Sequence, residues 1–159
     1  MKGETANIFA KVLSVIAVAL VLIPMSALTG FSQEKKATTI RHKPADYFVE
    51  GHRIRIDAKV SDEAGVSLVR CYFRTEEEAN FVFVAMSEVG EGHYRGILPA
   101  PSEHTERIIY LLLAVNSNEK IAKTQEFLLK KDGEKEIPEW QQTNSKGNIR
   151  VSTELAQVT

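Results

Sequence analysis

The sequence contains one cysteine and almost no net charge. The single cysteine, Cys71, excludes an intrachain disulfide and a zinc site of the usual cysteine-rich kind. Lysine and arginine number 20 against 21 aspartate and glutamate, and this net charge of −1 gives no indication of binding to nucleic acid or to an anionic membrane surface. The 159 residues allow one domain, which without disulfides must be stabilised by its hydrophobic core alone.

Sequence patterns of known catalytic sites are also missing. There is no Gly-x-Ser-x-Gly, no His-Glu-x-x-His and no phosphate-binding loop. A calcium site would have only Asp62 and Glu63 before Gly65, for which a solvated turn is the simpler interpretation. The histidines lack the short spacing of metal ligands, so we predict no catalytic residue, no cofactor and no metal. These histidines are His42, His52, His93 and His104.

The longest apolar run lies close to the N-terminus. Lys11 precedes residues 12–23, which are almost wholly apolar, and small residues follow before a polar run. This order predicts a secretory signal peptide over residues 1–32, with cleavage after Ser32. The alternative is an uncleaved membrane anchor, because residues 12–28 reach the lower length limit for a transmembrane helix. Both interpretations predict an exported protein that is periplasmic, on the cell surface or secreted.

Alternating apolar and charged residues predict β-strands downstream of a linker at residues 33–39. In residues 53–60, Ile54, Ile56 and Val60 face one way and charged side chains face the other, as in a half-buried strand. Short turns leave no room for crossover helices, so the sheets should be antiparallel. The seven predicted strands are residues 38–42, 53–60, 66–74, 81–86, 93–98, 108–115 and 121–129.

The order of several short motifs resembles that of a known family. They look like the immunoglobulin-like or fibronectin-type-III-like modules of bacterial exported and cell-surface proteins, over roughly residues 42–129. The resemblance implies a seven-stranded antiparallel immunoglobulin-like sandwich over residues 40–130, with a binding or architectural role. The motifs are His42-x-Pro44, Gly51, Ile54-x-Ile56-x-Ala58-x-Val60, Asp62-x-x-Gly65-Val66, Val69-x-Cys71-Tyr72-Phe73-Arg74, Phe81-x-x-Val84-x-Met86, Gly92-x-Tyr94, Ile97-x-Pro99-Ala-Pro101 and Tyr110-x-Leu112-x-Ala114.

Two polar side chains are predicted to lie inside this domain. Cys71 shares the inward side of its strand with Val69 and Phe73, which indicates a buried, inert thiol. A reactive thiol is the alternative, but no histidine lies near it in the strand order. Tyr110 stands near the start of the sixth strand, the position of a tyrosine corner, whose hydroxyl bonds to backbone upstream.

The sixth strand is apolar on both of its sides. The resemblance directs Ile108, Tyr110, Leu112 and Ala114 into the core, so the other side should face water and be polar. It carries no polar residue, and Val82 and Val84, which alternate with Phe81 and Phe83, extend it. A second copy, another envelope protein, or the chain's own tail through Ile137, Trp140, Ile149 and Val151 would cover such a patch, and we favour an intermolecular partner centred on Leu111. The predicted interface residues are Leu68, Tyr72, Ile109, Leu111, Leu113 and Val115.

These features predict a non-catalytic exported module that binds or supports another protein. Its partner would be another envelope protein or a second copy, not nucleic acid, and the N-terminal helix would tether it to a membrane if uncleaved. The alternative is an accessory or carbohydrate-binding domain serving an extracellular enzyme, which would use the aromatic residues Tyr47, Phe48, Tyr72 and Trp140. Residues 131–159 form a charged linker and a tail, in which residues 147–155 alternate weakly as a lone strand, a partner-folded segment or a disordered one.

Export predicts a defined mature N-terminus. N-terminal sequencing of the exported protein should begin near Gln33, because cleavage of a signal peptide is expected after Ser32. An intact N-terminus on membrane-bound protein would select the anchor instead. Recovery of the full-length chain as soluble cytoplasmic protein would contradict both interpretations.

Overall fold

The computed structural model describes residues 37–143 and 146–153. The predicted signal peptide or anchor at residues 1–32 lies outside these ranges, and no helix within them is long and apolar enough to cross a membrane. The described chain forms ten strands and one turn of 3-10 helix. These are β1 (Thr39–His42), β2 (Tyr47–Phe48), β3 (Ile54–Ser61), β4 (Val66–Thr75), β5 (Val82–Ala85), β6 (Ser87–Gly90), β7 (His93–Leu98), β8 (Arg107–Asn116), β9 (Ile121–Lys123), β10 (Phe127–Lys131) and the 3-10 turn Glu139–Gln141.

Two sheets divide the strands between them. The first sheet has the order β1-β3-β7-β6, and the second has the order β2-β10-β8-β4-β5, with β9 also paired to β8. Neighbouring strands are antiparallel except β2, which runs parallel to β10. The predicted all-β class is therefore confirmed, and the antiparallel arrangement has this one exception among the described strands.

Ten strands replace the seven that the sequence predicts. The short strands β2 and β6 are absent from the prediction, and its last strand, residues 121–129, is interrupted. Leu113 pairs with Lys123 in β9, whereas Tyr110 pairs with Phe127 in β10. The chain therefore advances four residues from β9 to β10 while β8 advances three. One extra residue on one strand is a β-bulge, and it keeps the apolar residues of both halves on the core side.

The hydrophobic core lies between the two sheets. Ile54, Ile56 and Val60 of β3 are at most 1% exposed, and the alternation predicted for this strand is confirmed. On the opposite sheet, Cys71 and Leu112 are fully buried. Burial also raises the pKa of the Cys71 thiol, so this side chain remains a protonated apolar group in the core.

The described part of the tail after β10 packs on the domain. The Gln141 side chain accepts a hydrogen bond from the backbone nitrogen of Val49 at 2.6 Å. Its amide nitrogen donates to the carbonyls of Val49 at 2.8 Å and His52 at 3.0 Å. Further along, Phe83 of β5 and Ser152 exchange two backbone hydrogen bonds of 2.8 and 3.0 Å. The tail therefore contacts chain near β2 and β3 at one point and the edge of the second sheet at another.

The turn between β6 and β7 depends on Gly92. Its carbonyl accepts a hydrogen bond from the backbone nitrogen of Val60 at 2.8 Å. The φ angle of Gly92 is +74°, and an added Cβ would lie 2.8 Å from the Val60 carbonyl oxygen. Only glycine combines this backbone conformation with so close an approach to the neighbouring strand.

Substitution of Gly92→Ala should lower the free energy of unfolding by about 1–3 kcal/mol, because it adds backbone strain and a clash with Val60. Urea unfolding followed by circular dichroism would measure the change. The matched control is Gly133→Ala, where an added Cβ meets nothing within 4 Å and φ is not positive. Equal stability of the Gly92→Ala and Gly133→Ala variants would contradict this account of the turn.

Candidate functional site

The side of the second sheet that faces away from the core carries a group of neighbouring apolar residues. Strands β4 and β8 are neighbours, and their register pairs Leu68 with Val115 and Tyr72 with Leu111. Directly opposite residues of antiparallel strands project to the same side, so the six predicted interface residues share one surface. We call this surface the outer face. Its apolar residues are Leu68, Tyr72, Phe83, Ile109, Leu111, Leu113, Val115, Ile121 and Leu128.

Strand β5 contributes a different residue from those predicted. Phe83 pairs with Tyr72 and lies on the outer face. Val84 pairs with Cys71 and is 3% exposed, so it belongs to the core, and its predicted place on the patch is wrong. Side chains alternate along β5 as expected, and its pairing with β4 decides which of them face outward.

Tyr72 is the most covered of the predicted interface residues. It is only 8% exposed, whereas the other five are partly exposed. The Arg70 guanidinium lies 4.2 Å from the centroid of the Phe83 ring and donates to the Tyr72 hydroxyl at 3.1 Å. This cation–π contact joins the three side chains into one cluster on the outer face. At the rim, Ile121 is 67% and Leu128 is 45% exposed.

Of the described tail residues, Ser152 meets the backbone of Phe83 at the edge of the outer face, whereas Trp140 and Val151 make contacts elsewhere. The Trp140 ring lies 5.6 Å from that of Tyr47, and its indole nitrogen donates to the Tyr47 carbonyl at 3.3 Å. Val151 lines a cavity beside Phe73 and Leu98, on the core side of the β5 edge. Within residues 37–143 and 146–153, the tail thus gives no support to the alternative that it covers the patch.

The aromatic residues considered for carbohydrate binding do not form one platform. Phe48 is fully buried, and Tyr72 is nearly so. Tyr47 and Trp140 meet edge to face at an interplanar angle of 70°, and the Lys135 ammonium lies 4.6 Å from the Tyr47 ring centroid. A flat stacking surface for a sugar ring is therefore not built from these four residues.

A half-buried histidine and a buried tyrosine connect the two sheets. The His42 ring of β1 has Nδ1 2.7 Å from the Asp57 carbonyl oxygen and Nε2 2.8 Å from the Tyr110 hydroxyl. Phe127 packs against both rings, at 5.2 and 5.3 Å between centroids. Tyr110 is fully buried at this contact, and the sequence pattern did not identify the His42 ring as a partner of its hydroxyl.

These distances determine the protonation state of His42. A carbonyl oxygen only accepts, so Nδ1 carries the proton and Nε2 accepts from the Tyr110 hydroxyl. Burial lowers the pKa of His42, and the hydrogen bond to the Asp57 carbonyl and the Asp57 charge oppose this only in part. Burial likewise raises the pKa of Tyr110. Both ring nitrogens of His42 are occupied by protein groups, which leaves neither for a metal ion.

The carboxylate of Asp62 serves the turn that precedes β4. Its oxygens accept from the Thr38 hydroxyl at 2.6 Å, the Ala64 backbone nitrogen at 2.8 Å and the Asn116 side-chain nitrogen at 3.2 Å. These hydrogen bonds, that of Thr38 foremost, lower the pKa of Asp62. The next glycine, Gly65, has φ +84°, as the turn predicts. Among the described residues, no three His, Cys, Asp or Glu side chains are grouped closely enough to hold a metal ion.

Comparison with known proteins adds little to this geometry. No protein-family model matches the sequence, and no curated protein sequence does. Among solved structures, a mutant of the SrpA adhesin from Streptococcus sanguinis aligns with 61% of this chain at 10% identity and a TM-score of 0.41. The alignment covers 59% of that adhesin structure. A TM-score this low does not establish a shared fold, and the alignment carries no argument about function.

The half-buried His42 ring should make stability depend on pH. The pKa of His42 in the folded domain lies below the ordinary value of 6.5. The neutral ring therefore contributes fully to the free energy of unfolding above that pH. As pH falls below it, the unfolded chain binds a proton that the folded domain does not, and the free energy of unfolding decreases. In the wild type, the urea concentration at the unfolding midpoint should fall as the pH is lowered from neutral to mildly acidic.

A pair of variants separates His42 from other titrating groups. The fall in midpoint should become shallower in His42→Gln, which has no titrating ring at this position. It should persist in His93→Gln, because the His93 side chain is exposed. The same slope in His42→Gln as in the wild type would show that another group is responsible.

Proposed function

We propose that this chain is an exported, non-catalytic binding module that docks on another protein through the outer face. The observation that carries the proposal is the outward side of β8. Ile109, Leu111, Leu113 and Val115 occupy it without a polar residue between them, and all four are partly exposed. The solvent side of an antiparallel sheet is ordinarily polar, and contiguous apolar surface of this kind marks interaction sites.

An immunoglobulin-like architecture is part of the same proposal, with its main body at residues 40–130. The order of strands supports it. Immunoglobulin domains place their first, second, fifth and fourth strands in one sheet and their third, sixth and seventh in the other. The order β1-β3-β7-β6 corresponds to the first set, and β4, β8 and the interrupted β9 and β10 correspond to the second. Strand β5 then takes the place of the additional strand of variable-type domains, beside β4.

Export from the cytoplasm completes the proposal, and the partner would belong to the cell envelope or lie outside it. The apolar run at residues 12–28 and the basic residue before it support export. The absence of a disulfide is compatible with an exported sandwich, because the two sheets bury a core of large apolar side chains between them.

The substitution Leu111→Lys tests the interface. Leu111 lies on the outer face with its side chain only partly buried, so a lysine there can reach water while placing a charge in the middle of the contact. Affinity for the partner captured from an envelope fraction should fall by about 2 kcal/mol or more, as for a central interface residue. The circular dichroism spectrum and the unfolding midpoint should remain nearly unchanged.

The matched control is Val89→Lys on β6 of the first sheet, where the apolar side chain is 55% exposed. This variant should keep full affinity for the partner. Unfolding of the Leu111→Lys protein would show that Leu111 belongs to the core. Retention of wild-type binding by a folded Leu111→Lys protein would contradict the interface.

A further inference from the structure

An apolar cleft lies beside β5, at the edge of the second sheet. Among the described strands, β5 pairs with β4 alone, so its other side has no strand beside it. The cleft has a volume of about 360 Å³, which is within the range of ligand-binding cavities in proteins. Apolar side chains of both sheets and of the turn after β7 line it. We call it the edge cleft, and these residues are Phe73, Val82, Leu98, Pro99, Ala100, Pro101 and Ile108.

The tail of the chain shows how the edge cleft receives an extended segment. Ser152 and Phe83 exchange two backbone hydrogen bonds as an antiparallel pair, at 2.8 and 3.0 Å. The preceding residue, Val151, lines the cleft. Successive side chains of an extended segment point to opposite sides, so backbone pairing at one residue directs the neighbouring side chain into the cleft. Proteins commonly bind extended peptides by such strand pairing combined with a pocket for a side chain.

The tail fits this site only in part. Val151 is 41% exposed, and the cleft keeps its volume with Val151 at its wall, so there is space for a larger apolar side chain. Backbone groups of alternate residues in a strand point to the same side, so Ala85 presents its N–H and carbonyl outward as Phe83 does. No residue in the described part of the tail forms a hydrogen bond with Ala85.

We propose that the edge cleft is a second binding site, which takes an extended segment of a partner protein in place of the tail. The segment pairs antiparallel with both Phe83 and Ala85, and it places a leucine or another large apolar side chain in the cleft. This site differs from the contact proposed for the outer face, because it binds through the backbone and one side chain and not through a broad apolar surface.

Such a segment gains more from the site than the tail does. Pairing at Ala85 adds hydrogen bonds that the tail does not make, and a larger side chain buries more of the apolar lining. The tail has the advantage of its attachment to the domain, which gives it a high local concentration. A free segment therefore binds those molecules in which the tail has left β5, and its apparent affinity increases with their fraction.

The test uses the whole mature protein and labelled peptides with the tail sequence of residues 148–154. The first peptide carries Val151→Leu, and the second carries Val151→Asp. The third carries Val151→Leu and Ser152→Pro, because proline has no N–H to donate to the Phe83 carbonyl. Fluorescence anisotropy should show saturable binding of the first peptide and at least tenfold weaker binding of the other two. Absence of binding by the first peptide, or equal binding of all three, would overturn the proposal.

A substitution in the protein tests whether peptide and tail compete for the site. In the protein variant Val151→Asp, the carboxylate favours water over the apolar cleft, so the tail leaves β5 more often. Affinity for the first peptide should rise about tenfold. The matched control is Ile137→Asp, an exposed residue of the same tail that does not line the cleft, and it should bind as the wild type does. An unchanged affinity in Val151→Asp would show that the peptide binds elsewhere.

Two variants of the domain locate the contact. Ala100→Asp places a charge in the cleft at an exposed position, so affinity for the first peptide should fall about tenfold in a folded protein. The matched control is Ala37→Asp, also exposed but beside Asp62 at the other end of β3, and it should leave affinity unchanged. Ala85→Pro removes the outward N–H of Ala85 and should weaken binding severalfold, with little change in the unfolding midpoint. Wild-type affinity in a folded Ala100→Asp or Ala85→Pro protein would overturn the proposal.

The tail of a second copy is the other occupant that the test must distinguish. If two copies exchanged their tails, the wild type would form a dimer through the edge cleft. Sedimentation equilibrium should instead show the same oligomeric state for the wild type and for Val151→Asp. A wild-type dimer that Val151→Asp dissociates and Leu111→Lys does not would assign the cleft to the tail of a second copy and overturn the proposal.

Discussion

The fold depends on the hydrogen bond between the Tyr110 hydroxyl and the His42 ring. Tyr110 is fully buried in β8, and a buried hydroxyl without a partner would cost free energy on folding. The hydroxyl donates to the neutral ring of His42, which belongs to β1 of the opposite sheet and is oriented by the Asp57 carbonyl. One polar contact thereby joins β1 of the first sheet to β8 of the second across the core.

The sequence predicts most of the sheets because burial repeats every second residue. The alternation in β3 and β8 identifies their core sides, since a shift by one residue would expose the whole apolar set. The same rule explains why the prediction for β5 is wrong, since Phe83 and not Val84 faces outward. Both sides of that strand are apolar, so the sequence pattern does not show which side faces the core. Only the pairing of β5 with β4 decides this.

The sequence does not predict contacts in which a side chain takes the place of a neighbouring strand as the hydrogen-bond partner of the backbone. Gln141 bonds to the backbone at Val49 and His52, yet in the sequence it is one of two glutamines in a polar run. The sequence between β9 and β10 also contains no residue type that signals a bulge. The extra residue is required by the pairing of both strands with β8, not by local propensity. Of the candidate site, the sequence reveals the apolar side of β8, whereas the contribution of Phe83 appears only once the register joins β5 to β4.

The two hydrogen bonds between Ser152 and Phe83 have a consequence for the tendency of the protein to aggregate. Strand β5 forms one edge of the second sheet, and an uncovered edge is a template on which another chain can add a strand. Ser152 of the tail occupies the outward-pointing backbone groups of Phe83 on this edge. Trimming of the C-terminus by a protease would remove this cover, and the same apolar sheet would then be prone to edge-to-edge aggregation.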